Sequence, residues 1–226
     1  MWRLWARIFV VAYVLGLCGC GGGSGGGGSS AVVNIQSYSV FNHPAERRTR
    51  FVSKSVSIIG GKDSGVSWIN QDSVPHRVVS GVVLSDGNPA IIHMIVINFG
   101  SFTPDTLTAR SGETIRFNNL SGRQFTLQIV DDSGTVKSTV LFTQGEMKDV
   151  PFPGPGVFVA RDTDSQQIAT ITLPGGAVAD GLFDSGVLAP GQTFFRAFSA
   201  ARTYDYFDAN PSDPTRIYAI GRVVVQ

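Results

Sequence analysis

The chain has 226 residues, 42% hydrophobic and 15% charged, with 18 Lys and Arg against 17 Asp and Glu. So even a balance excludes an electrostatic nucleic-acid binder, and the length suits one large or two small domains. Its two cysteines, Cys18 and Cys20, both precede the main body of the chain, which therefore has no disulfide of its own and no thiolate to serve as nucleophile or metal ligand.

Residues 1-20 begin with Arg3 and Arg7, continue through an apolar run from Ile8 to Leu17 and close on small residues around a cysteine, the layout of a secretory signal. The apolar run is too short for a helix to cross a hydrocarbon core of about 30 Å. Leu17-Cys18-Gly19-Cys20 resembles the lipobox of bacterial lipoproteins. That resemblance implies lipid attachment at Cys20, which becomes the mature N-terminus, and an exported protein tethered to a membrane at the cell envelope, on the periplasmic or outer surface. An ordinary cleaved signal with two incidental cysteines is the alternative. Removing the signal leaves 16 basic residues against 17 acidic. Residues 21-30 are all glycine or serine and read as a flexible linker.

From Ala31 onward the hydrophobic pattern has the strand period of two. Val33, Ile35 and Phe41 share one parity; Val56 and Ile58, then Val66, Trp68 and Val78, continue it. Glu46-Arg47-Arg48-Thr49-Arg50 reads as a solvated mixed-charge loop without a functional role. Gly60-Gly61, Asp86-Gly87, Ser111-Gly112, Ser133-Gly134, Gly175-Gly176 and Pro190-Gly191 punctuate runs rich in Val, Ile, Thr and Phe. An all-β sandwich or barrel follows. Met94 and Met147 read as core or gap-filling residues.

The segment from Phe117 to Leu127 aligns without gaps on Trp68 to Val78, giving two front halves. Ser138-Thr139-Val140-Leu141, followed by Gly145, is similar to Ser185-Gly186-Val187-Leu188, followed by Gly191, giving two back halves. The order front, front, back, back differs from a tandem duplication. It predicts one domain inserted in another, because nesting keeps connections short and unthreaded. The expected boundaries are an outer domain over 31-88 plus 177-226 and an inner domain over 89-176. A single irregular sandwich is the alternative.

Val66 to Ser80, with His76 near its end, resembles the strand and loop that carry the first histidine ligand of cupredoxins, the blue-copper fold. Phe183-Asp184-Ser185-Gly186 and Leu188 to Phe194 are similar to the segment before that family's copper loop, and Tyr204 to Pro211 stands where the loop itself falls. The resemblance implies a cupredoxin-like Greek-key β-sandwich in two copies. A blue-copper centre needs two imidazoles and a thiolate, usually with a weak axial methionine. Carried over residue by residue, His76 takes the first histidine position, Phe207 the cysteine position and Asn210 the second histidine position. Ser212-Asp213-Pro214 offers no methionine. In the inner copy Phe125 matches His76, and Phe158 to Asp162 holds neither cysteine nor histidine.

The expected function is therefore that of a membrane-anchored extracytoplasmic module without an intact blue-copper site, binding an envelope protein or small ligand, or serving a structural role. Tyr204 and Tyr206 are either exposed contact residues or buried strand residues. The alternative is a copper-binding or electron-transfer protein with a remodelled site in which His76 acts with Asn210 and Asp208. Catalysis is not expected, since no Ser-His-Asp signature, phosphate loop or paired histidines occur. Asp205, Asp208 and Asp213 read as turn formers.

Overall fold

A computed structural model describes residues 29–40, 43–61, 64–165, 167–209, 217 and 219–226. Cys20 and most of the glycine–serine segment lie outside the described residues, as do Phe41, Asn210 and Asp213. The described chain is all-β. In order, the strands are β1 (Ser30–Val40), β2 (His43–Val52), β3 (Ser55–Ile58), β4 (Gly65–Asn70), β5 (Val78–Leu84) and β6 (Ile92–Asn98). Next come β7 (Ser101–Thr103), β8 (Thr106–Thr108), β9 (Thr114–Asn119), β10 (Phe125–Asp131), β11 (Val136–Phe142) and β12 (Met147–Asp149). The last are β13 (Gly156–Asp162), β14 (Ile168–Leu173), β15 (Gly176–Asp184), β16 (Thr193–Ala197), β17 (Thr203–Asp208) and β18 (Ile220–Val225).

Four sheets form from them. One pair has the orders β16-β4-β1-β2 and β15-β5-β17-β18-β3; the other has β12-β9-β6-β7 and β11-β10-β13-β14-β8. Alternation explains the pairing. Val33 and Ile35 of β1 and Val66 and Trp68 of β4 turn inward to meet Val78, Tyr206 and Val223 from the facing sheet. Trp68 is fully buried, with Tyr206 at 5.2 Å edge-on and Phe183 at 5.3 Å tilted. The second pair closes over Ile95, Phe117, Leu127, Phe158 and Ile171, with Phe125 and Phe142 in edge contact.

The first sandwich thus draws strands from both ends of the chain, and the second uses those between. Their strand orders correspond one to one, and so does a local bracket. Asn70 Nδ2 donates to the carbonyls of Val74 and Leu188, while its Oδ1 accepts the Asp72 N–H. Asn119 does the same with Arg123, Thr143 and Ser121. Gly191 and Gly145 each donate an N–H to the matching asparagine carbonyl, at 2.7 and 2.8 Å. Gln192 and Glu146 accept the N–H of Ala189 and Thr143 in turn. Both glycines have positive φ, 79° and 74°, which disfavours a side chain there.

Several expectations change. Ser30 already pairs within β1, and Ser29 exchanges hydrogen bonds with Ile59 and donates its N–H to Ser64 Oγ, so the fold starts inside the expected linker. Arg48 is not solvated surface: it is buried, and its Nε donates to Thr172 Oγ1 of the other sandwich at 2.9 Å. Met94 and Met147 are 40% and 49% exposed rather than core, because their side chains fall on the outward parity of β6 and β12. Asp205 and Asp208 lie within β17, not in a turn.

Candidate functional site

His76 lies between β4 and β5, in a loop shaped by Asn70-Gln71-Asp72-Ser73-Val74-Pro75, residue types that favour turns. The Asn70 bracket holds the loop against Leu188, and His76 then exchanges backbone hydrogen bonds with Leu188 at 3.0 and 2.7 Å. Its imidazole is fully buried. Nδ1 stands 2.7 Å from Asp208 Oδ2, and Nε2 stands 3.1 Å from Asp72 Oδ2. Asp208 Oδ1 accepts the Arg77 N–H at 3.2 Å. Asp72 Oδ1 accepts the Ser37 hydroxyl at 2.8 Å and the Ser73 N–H at 2.6 Å. Each group is thus hydrogen-bonded, as buried polar groups must be.

Burial pulls the His76 pKa down, but the hydrogen bond and charge of Asp208, followed by those of Asp72, outweigh it and hold the value above the ordinary 6.5. For Asp72, burial pushes up, yet the bonds from Ser37, Ser73 and His76 hold its pKa below 3.8. When protonated, the imidazole donates both N–H groups, Nδ1–H to Asp208 and Nε2–H to Asp72.

The residue opposite His76 is Asp208. Phe207, expected in the cysteine position, points to the other face of its sheet and packs on Val79 and Ile217. Parity is the reason: Tyr204, Tyr206 and Asp208 share the inward face of β17, and Phe207 cannot. Both tyrosines are buried in the core, so neither is an exposed contact residue. In the second sandwich Phe125 is buried where His76 would stand, and the carboxylate ending the matching strand, Asp162, pairs with Arg123. His93 has a carboxylate neighbour too, Glu113 at 2.7 Å, a contact with no sequence-local spacing to announce it.

These residues do not fit a blue-copper centre. Among the described residues one imidazole is present there, both its ring nitrogens face hard carboxylates, and no soft thiolate adjoins it. Asp72 and Asp208 lie against opposite edges of the ring, so no single ion at one ring nitrogen engages both. Among the described residues no group of three or more His, Cys, Asp or Glu side chains is arranged to hold a metal ion.

No family model matches the chain, and no curated protein sequence matches it. Among solved structures it is similar to a purple cupredoxin from Nitrosopumilus maritimus, at 18% identity over 59% of this chain and 98% of that one, with a TM-score of 0.18. A copper-containing nitrite reductase from Thermus scotoductus is 11% identical over 88% of this chain and 99% of that one, with a TM-score of 0.22. An amicyanin from Paracoccus versutus is 15% identical over 66% and 97%, with a TM-score of 0.19. At such values the fold is assigned from the sheets themselves. It is all-β and cupredoxin-like.

Proposed function

We propose that this chain is an exported, lipid-anchored cupredoxin-like protein that acts as a noncatalytic binding or structural module of the cell envelope. Cys20 carries the lipid, and the second sandwich is a domain inserted in the first, over about 89-176. The observation that supports the noncopper reading is the commitment of both His76 ring nitrogens to Asp72 and Asp208. A buried ion pair of this kind contributes specificity and local rigidity more than net stability. The end of the sandwich where a cupredoxin holds copper is here closed by fixed charge.

Copper titration of the purified protein, read by absorption and electron paramagnetic resonance, tests this. The expected result is no stoichiometric binding at micromolar copper. Stoichiometric binding abolished by His76→Ala would refute the reading and favour the remodelled copper site.

A further inference from the structure

A cleft of about 840 Å³ lies between the two sandwiches, apart from His76. Val83, Ile220 and the backbone at Gly81 form its floor, on the outward face of the β5-β17-β18 sheet. Gly81 is needed for the pairing of β5 with β15 beside that floor: its φ is +140°, and a Cβ there would meet the Val178 carbonyl oxygen. A recess of about 290 Å³ adjoins it, shares Lys54, Val83, Asp131, Lys137 and Ile220, and is lined further by Asp132, Pro155, Val157 and Phe158. The combined space suits a small molecule with an apolar part.

Charge along the walls is ordered. Lys54 pairs with Asp132 at 3.2 Å, Lys137 with Asp131 at 2.8 Å and Arg222 with Asp205 at 2.6 Å. The carboxylates near the lysines are the enclosed partners: Asp131 and Asp132 are 9% and 13% exposed, against 36% for each lysine. Asp131 is also saturated from its own turn, by the Ser133 and Thr135 N–H groups and the Ser133 hydroxyl. An ammonium has three donors, and among the described residues each lysine commits one to a carboxylate. Spare cationic donors therefore stand beside an apolar floor.

We propose that this cleft binds an anionic amphiphile, with a carboxylate headgroup at Lys54 and Lys137 and a hydrocarbon chain over Val83 and Ile220 toward Phe158. The inference rests on the binding-module reading and names its ligand class at a separate site. Its failure is distinguishable from failure of that reading, since decanoate reports on the cleft alone and copper on His76.

The test is isothermal titration of the full chain with monomeric decanoate, with decyltrimethylammonium as the opposite-charge control and phosphatidylglycerol vesicles as the bilayer source of anionic headgroups. Saturable decanoate binding is expected, weakened about tenfold by Lys54→Ala or by Lys137→Ala and retained in Lys137→Arg. Lys54 touches both sandwiches, so Lys137→Ala with an unchanged thermal melt decides if Lys54→Ala fails to fold. The proposal is overturned by absence of saturation, by equal affinity for the cationic analogue, by affinity unchanged in Lys137→Ala, or by uptake onto vesicles alone.

Discussion

Replacing His76 by phenylalanine, the residue at the matching place in the second sandwich, leaves Asp72 and Asp208 buried without their cation. Removing one partner of a buried ion pair costs about 3–5 kcal/mol. For 150–250 residues that is a fall in Tm of about 6–20 °C. The pH profile adds a second signature. The folded His76 pKa lies above its ordinary 6.5, so its stabilisation is complete below pH 6.5 and is lost as pH rises through the folded value. The folded Asp72 pKa lies below 3.8, so its contribution is present above pH 3.8 and is lost as pH falls through that lower value. Wild-type stability is therefore greatest between about pH 4 and 6.5 and declines above it; in His76→Phe the upper decline disappears. Urea unfolding followed by tryptophan fluorescence from pH 3 to 9 measures both. A loss under about 1 kcal/mol, or an unchanged upper limb, refutes the reasoning.

Other consequences follow from neighbouring contacts. Asn70→Ala breaks three side-chain hydrogen bonds and Asn119→Ala four, and each is expected to cost about 2–4 kcal/mol in denaturant melts. Thr172→Val removes the acceptor of Arg48 Nε; a loss of about 1–3 kcal/mol is expected by thermal melting. Gly81→Ala forces a Cβ against the Val178 carbonyl and is expected to break β5–β15 pairing, seen as lost amide protection in Val178 and Val82. Cys20→Ser is expected to move the protein from the membrane to the soluble fraction and to abolish radiolabelled palmitate incorporation.

Much of the fold was legible because a strand period of two survives even where sequence identity between copies is weak. Trp68 and Phe117, and Asn70 and Asn119, sit at matching positions that the ungapped alignment already paired. The site was read less well. His76 and Asp208 were named together, but as metal ligands, whereas they form an ion pair; Phe207, given the cysteine position, has the parity of the opposite face, as counting from Tyr204 and Tyr206 would have told. Asp72 was not singled out, and its second carboxylate oxygen reaches His76 because the Asn70 bracket folds the loop back. Arg48 was misread because its acceptor, Thr172, is 124 residues away. The cleft had no sequence signature, since its two walls come from different sandwiches.

The central claim is that the His76 ring is an imidazolium hydrogen-bonded at both nitrogens, to Asp208 and Asp72. Nitrogen-15 spectra of the His76 ring at pH 6.5, before and after one equivalent of copper(II), test it most directly. The prediction is two protonated ring nitrogens, unaltered by copper. A ring with one unprotonated nitrogen whose signal is erased by copper would contradict it.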